Sequence, residues 1–332
     1  MDVVKDWAIM QGDARAMLWW LPTDSVDLIL TDPPYYRVKG AAWDRQWDTP
    51  SAYLEWLDSV AEEWQRVLKP NGSLYVFASP RMAARVEVLL SERFNVLNHL
   101  VWQKPTSRGN RTKKEALRSF FPDSERIIFC EQYGANPAAL YASGKSQRFW
   151  FEPLREYLRD ELLNRAKMTP ADINRAVGSS GGMASHYVGN TFQWELPTAE
   201  HYQALRDAAN RNGGQYLCRE YEDLRREYEE LRRTFNITAK DQFTDVWNFR
   251  PVAAYPGKHE CEKPQALLRH IIQVSSRPGD LVLDSFAGSG STGVAALALR
   301  RRFIGIEASE HWARYAERRL ADGVQLTLED IA

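Results

Sequence analysis

"LVLDSFAGSGSTGVAALALRRRFIGIE", residues 281–307, reads as a buried strand, a glycine-rich turn, a helix and a second strand. Asp284 closes the first apolar run, Gly288, Gly290 and Gly293 follow in a GxGxxG spacing, and Glu307 closes the second run. Glycine lets a ligand approach the backbone, and the first N–H groups of a helix have no intrahelical partner, so such a turn suits an anionic group. An acid roughly 20 residues further on, ending the next strand, suits a ribose diol. Three readings stay open here: a tight turn that binds nothing, a nicotinamide dinucleotide site, and an S-adenosylmethionine site.

On either side of this stretch, "CEKPQALLRHIIQVSS" (261–276) and the segment from "SEHWARYAERRL" (309–320) have helical spacing. The first part of the chain alternates in the same way. "WAIMQGD" (7–13) and "VDLILTD" (26–32) are short apolar runs, each ending in an acid. Residues 51–69 place Tyr53, Leu54, Leu57, Val60, Ala61 and Trp64 on one helical face. A turn and strand (71–79), a helix (81–94) and two further strands, "VLNHLVWQK" and "SERIIFCEQ", complete this part. The alternation implies a doubly wound α/β fold with a largely parallel sheet covered by helices on both faces.

Residues 134–245 differ in character, which divides the chain into 1–133, a helical insert at 134–245, and 246–332. Within the insert Thr169 fits an N-cap with Pro170 at the first helical position. The helices at 169–189 surround a Gly/Ser turn and fit either a plain packed pair or a helix-turn-helix that presents "GMASHYVG" (182–189). Tyr221, Leu224, Tyr228 and Leu231 form a stripe that fits a docked, solvated helix better than a dimer seam.

"LILTDPPYYRVKG" (28–40) leaves a strand for an acid, two prolines and two tyrosines. Asp32 there is either a turn cap or a carboxylate held rigidly for presentation, with Tyr35 beside it. Composition is that of a globular protein, 44% hydrophobic and 26% charged, and no apolar run approaches the ~20 residues that span a bilayer. A cytoplasmic protein is the expectation. The net charge of −1 gives no global pull toward nucleic acid, but residues 101–118 hold Lys104, Arg108, Arg111, Lys113, Lys114 and Arg118 against Glu115 alone. Three scattered cysteines exclude a CxxC pair, so neither a disulfide nor a metal site is expected.

Taken together, "TDPPYY" (31–36) and "DSFAGSGST" (284–292) resemble the amino-group DNA methyltransferases, which use S-adenosylmethionine. The order of DPPY, insert and FxGxG resembles the β-class of that family. This implies a Rossmann-like, seven-stranded, mostly parallel sheet with one antiparallel strand, and a target-recognition domain as the insert. It also implies double-stranded DNA as partner, a homodimer, and a bacterial or phage source. By resemblance Asp32, Pro33, Pro34 and Tyr35 are the catalytic four. Asp13 and Ala14 in "IMQGDARAML" line up with the adenine contact, and His259, Lys263 and Pro264 with the segment preceding the glycine turn. Asp284, Phe286, Ala287, Gly288, Gly290 and Ser291 line up with the turn itself, and Glu307 with the ribose ligand. The sequence departs from the family at Glu260 and at Ser285, where proline is common.

The chemistry suits those residues. An exocyclic amine is a poor nucleophile because its lone pair is delocalised into the ring. Acceptors on both hydrogens, the Asp32 carboxylate and the Pro33 carbonyl, draw the nitrogen toward tetrahedral geometry. Tyr35 offers a face for an unstacked base. An aspartate in the first motif position goes with adenine-N6 in the family, with cytosine-N4 as the nearest alternative and a nicotinamide dehydrogenase as the distant one. The basic loop gains weight as a phosphate contact, and Ser185 and His186 as base-reading candidates.

Overall fold

Among the described residues the chain forms one sheet of eight strands: β1 (Trp7–Gln11), β2 (Val26–Thr31), β3 (Leu68–Ala78), β4 (Asn95–Gln103), β5 (Ser124–Glu131), β6 (Val246–Asn248), β7 (Leu281–Asp284) and β8 (Arg302–Glu307). Their order is β1-β8-β7-β2-β3-β5-β4-β6, and every neighbouring pair is parallel except those made by β5. The expectation of seven strands is corrected to eight. The additional strand is β6, three residues that add to β4 through Val101↔Val246 and are too short to show a period in the sequence. A computed structural model of the chain describes residues 6–38, 45–104, 118, 120, 123–132, 151–189, 194–238 and 243–329, the last six as backbone only.

The helices of this unit are α1 (Ala14–Leu18), α2 (Pro50–Val67) and α3 (Ala83–Ser91) in the first half. In β2, Ile29 points into one core with Leu57, Val60, Trp64 and Val86. Leu28 and Leu30 point into a second core on the opposite face, with Leu267, Leu268, Ile271 and Ile272. Alternate residues of a strand face opposite ways, so burial on both faces makes β2 a continuous apolar run instead of an alternating one. β3 repeats the device, with Leu74 and Val76 in the first core and Tyr75 and Phe77 in the second. Truncating one of these fully buried leucines to alanine costs about 2–5 kcal/mol.

The chain divides into two compact units, Met1–Ser146 with Thr234–Ala332, and Gln147–Arg233. The second is narrower than the 134–245 read from the sequence. Residues after Thr234 join the sheet unit because the Phe235 ring stacks on Phe129 of β5 at 5.8 Å and the Asn236 N–H donates to the Val274 carbonyl.

The second unit contains α4 (Glu152–Arg159), a π-type turn at Asp160–Arg165, α5 (Pro170–Ala176), α6 (Met183–Val188), α7 (Ala199–Asn210) and α8 (Tyr221–Leu231). Thr169 caps α5 in a capping box with Asp172, as its sequence signature implies. Leu224 of α8 is buried against Leu154, Leu158 and Leu205, with Tyr221, Tyr228 and Leu231 packed beside it. That stripe therefore docks within the unit. The sheet unit ends with α9 (Gln265–Ser275), α10 (Ser291–Ala298) and α11 (Glu310–Glu329). Among the described residues no helix is long and apolar enough to cross a membrane.

Candidate active site

β2 and β7 come from opposite ends of the chain and lie side by side, with Leu28↔Val282 and Ile29↔Leu283 in register. The connections from these two strands run to opposite sides of the sheet, so their carboxyl ends open a crevice where ligands of doubly wound folds bind. Asp32 follows β2 directly and Asp284 closes β7, so both acids reach that crevice from adjacent strands.

Both oxygens of Asp284 have donors. Its Oδ1 accepts from the Thr31 hydroxyl (3.0 Å) and the Phe286 N–H (3.1 Å), and its Oδ2 from the Thr292 hydroxyl (2.6 Å). Burial pushes this carboxyl up to about 6, against the pull of those donors. The residue ties the end of β2 to the end of β7 and to the first turn of α10. Ser285 completes the tie, since its N–H donates to Thr31 Oγ1 (3.1 Å) and its hydroxyl accepts from the Trp64 indole N–H (2.8 Å). A serine where proline is common thus holds the buried Trp64.

Asp32 is differently placed. Lys263 Nζ donates to its Oδ2, while Oδ1 is buried and has no hydrogen-bond partner. Lys263, 8% exposed, also lies 3.5 Å from Glu125 Oε2 and faces the rings of Phe77 (4.7 Å) and Tyr35 (5.7 Å). The Tyr35 hydroxyl donates to Glu125 Oε2 (3.1 Å), and Lys104 donates to Glu125 Oε1. Burial raises the Asp32 carboxyl, the Lys263 ammonium opposes that rise, and the charge of Glu125 adds to it. Burial and the neighbouring acids raise the Tyr35 phenol well above its ordinary value, so it stays protonated and donates. Tyr36 turns the other way. Its hydroxyl donates to the Asp48 carbonyl (3.1 Å) and its ring lies 6.1 Å from Tyr53, so it packs beneath the turn.

The glycine turn forms the other wall. Gly288 and Gly290 have φ of +50° and +76°, in the left-handed region. A Cβ on Gly288 would stand 3.2 Å from the His259 ring, and one on Gly293 would stand 2.6 Å from Phe303. The first two glycines therefore shape the turn and the third lets α10 approach the sheet. Glu307 accepts from the Gly288 N–H (2.8 Å) on Oε2 and from the Ser309 N–H (2.8 Å) on Oε1, and each carboxylate oxygen keeps a second acceptor site. Phe286 meets Trp56 at 5.7 Å, and Ala287 is buried behind it. Asp13 caps α1 by accepting from the Ala16 N–H (3.1 Å), with Ala14 buried at the first helical position. His259 lies edge-on to Trp312 at 4.5 Å, burial lowers its ring below the ordinary value, and Pro264 precedes α9. Ser291 Oγ stands 3.1 Å from Arg319, which also reaches Glu262 at 2.9 Å. Among the described residues no cluster of three metal-ligating side chains occurs.

Residues 26–318 match the N6/N4 DNA methylase family. The chain belongs to that family. It is 28% identical over 331 residues to the DNA adenine methyltransferase YhdJ of Escherichia coli (strain K12), covering 98% of this chain and 86% of that one. It is 25% identical to the type II methyltransferase M.HinfI of Haemophilus influenzae, covering 95% of this chain and 68% of that one. The fold matches the structure of the M1.HpyAVI–SAM complex with a TM-score of 0.52 at 20% identity, over 95% of this chain and 98% of the other.

The chain is a DNA methylase. The DNA-contact candidates fare unevenly. Lys104 turns inward to Glu125 and over the Trp102 ring (4.8 Å), leaving its side chain 26% exposed. Arg108, Arg111, Lys113 and Lys114 lie outside the described residues, and Arg118 is exposed. The Ser185 hydroxyl donates to the Gly182 carbonyl (2.6 Å), and His186 Nδ1 stands 3.8 Å from Glu195. Sequence reasoning missed Glu125, whose signal was an acid in the polar opening, Ser124–Arg126, of a strand that turns apolar at Ile127. It also missed the Glu262–Arg319 pair, which no motif marks.

Proposed function

We propose that this DNA methyltransferase methylates the exocyclic N6 of adenine, flipped out of double-stranded DNA at a specific sequence, with S-adenosyl-L-methionine as donor. One observation carries the reading: Asp32 keeps one carboxylate oxygen tied to Lys263 and presents the other, buried and without a partner. A buried acceptor with no donor costs about 1–3 kcal/mol, and an amine hydrogen from the substrate satisfies it.

The remaining roles follow from the neighbours. The Pro33 carbonyl takes the second amine hydrogen, on a backbone restrained by two successive prolines. Tyr35, its hydroxyl anchored to Glu125, offers its ring to the extruded base. The methyl donor, when bound, supplies a carbon already activated by a sulfonium leaving group. Its pocket is the left-handed turn at Gly288–Gly290, with Phe286 and Ala287 as wall. Asp13, Ala14 and His259 face the base end, and Glu307 accepts from the ribose. Ser291 at the start of α10 takes the carboxylate. Holding the reacting groups in line contributes about 7–11 kcal/mol of barrier lowering without covalent catalysis. The helical unit and the loop carrying Arg108, Arg111, Lys113, Lys114 and Arg118 supply target and phosphate contacts, with Ser185 and His186 as base-reading candidates.

Two facts support adenine: the aspartate that opens the motif, and the 28% identity to a protein named as an adenine methyltransferase. The same two acceptors could serve the N4 amine of cytosine. Nucleoside mass spectrometry of DNA from cells expressing the chain separates the two. N6-methyldeoxyadenosine is the expected product; N4-methyldeoxycytidine alone would replace the adenine reading.

A further inference from the structure

Glu125 stands where the reversed strand makes it useful. Because β5 runs antiparallel to β3 and β4, its first residues lie at the sheet edge where the parallel strands end. Glu125 pairs with Trp102 across the ladder and meets three groups there: Lys104 on Oε1, and Tyr35 (3.1 Å) and Lys263 (3.5 Å) on Oε2. The Lys263 ammonium is thus shared between two buried carboxylates, and Lys104 brings the cluster of two acids and two lysines to neutrality.

We infer that Glu125 is a positioning residue for methyl transfer, setting both how far Lys263 neutralises Asp32 and where the Tyr35 ring lies. The inference rests on the methyltransferase reading of Asp32. A lysine bound to Asp32 alone would draw the carboxylate's charge and weaken the acceptor that the amine needs. Glu125 competes for the same ammonium and keeps Asp32 basic. Its other bond pins the phenol, and so fixes the ring against rotation away from the base. Lys104 in turn holds Glu125 ionised: burial alone would raise that carboxyl, and the two ammonium groups hold it below the ordinary value.

The charged and titratable groups around Asp32 are Tyr35 on its own turn, Glu125 on β5, Lys263 before α9 and Asp284 at the end of β7, with Lys104 and His259 beyond them. Removing the charge of Glu125 lowers the Asp32 pKa, so the acid limb of the transfer rate moves to lower pH.

The test measures single-turnover transfer of labelled methyl to DNA for the wild type, Glu125→Gln, Glu125→Asp and Lys104→Met, beside donor and DNA binding. Expected is a fall of about 30- to 100-fold in the Glu125→Gln rate, matching loss of a charge-assisted bond. Donor and DNA affinity should stay within about threefold, the acid limb should shift downward, and Glu125→Asp should recover part of the rate. Lys104→Met should move the rate the same way by a smaller factor. A Glu125→Gln rate within about threefold of wild type would overturn the inference and leave the methyltransferase reading standing. So would a loss explained wholly by donor or DNA affinity with an unmoved pH limb. Absence of transfer by the wild type would overturn that reading and the inference with it.

Discussion

Two aspartates end adjacent strands of the same sheet, and their surroundings are opposite. Asp284 has neutral donors on both oxygens: two threonine hydroxyls and a backbone N–H. Asp32 has a lysine on one oxygen and nothing on the other. A buried carboxylate with donors from its own fold on both oxygens serves as a stitch. One left half-met, in a buried position, stores the capacity to bind a substrate hydrogen. Sequence position does not separate them, since each follows an apolar run.

The comparison breaks most visibly in stability. Asp284→Ala leaves three buried donors without an acceptor, and at about 1 kcal/mol each the loss is about 3 kcal/mol. Asp32→Ala removes an unmet acceptor together with the Lys263 bond, and Lys263 still has Glu125, so its cost is expected within about 1 kcal/mol. Denaturant titration of the two variants checks the contrast; equal losses would dissolve it.

The pH dependence of stability sharpens the same point. The Asp284 carboxyl is raised from 3.8 to about 6 in the folded chain, so the fold binds its proton more tightly than the unfolded chain does. The stability this group contributes is complete below pH 3.8 and is lost as pH rises through about 6. Over that window wild-type stability relative to Asp284→Asn should fall by up to about 3 kcal/mol with rising pH. A parallel pair of curves would contradict the raised carboxyl and the dominance of burial over its three donors.

Smaller effects belong to the turn. Gly288→Ala places a Cβ at φ +50° beside His259 and should cost about 1–2 kcal/mol, read as a lower melting temperature and weaker donor binding by calorimetry. Ser285→Ala leaves the buried Trp64 indole N–H without its acceptor and should cost about 1 kcal/mol in the same assay, with donor affinity unchanged.

Much of the architecture was legible because its signals are local. The strand-ending acids, the Thr169 cap and the α8 stripe each follow from spacing within one segment, and the paired motifs were read from resemblance to a family. The eighth strand was not, because three residues define it through pairing with β4 alone. Helix α7, at 199–210, also escaped the sequence reading. Within the site, Asp32, Lys263 and the glycine turn were marked by motif, but their division of labour was not. That Lys263 binds Asp32, that Lys104 turns inward, and that Glu125 joins them depend on contacts between residues 21 to 231 positions apart. Tyr36 illustrates the same limit, since only the fold shows it packing toward Tyr53.

The central claim is that Asp32 presents its unpartnered oxygen to an amine, and Asp32→Asn tests it most directly. The variant keeps the shape of the side chain and removes its charge. Single-turnover transfer of labelled methyl to DNA should fall by at least about 10³-fold, the scale of losing a preorganised acceptor at a reacting centre. Donor and DNA binding should stay within about threefold. Transfer by Asp32→Asn at the wild-type rate would contradict the account.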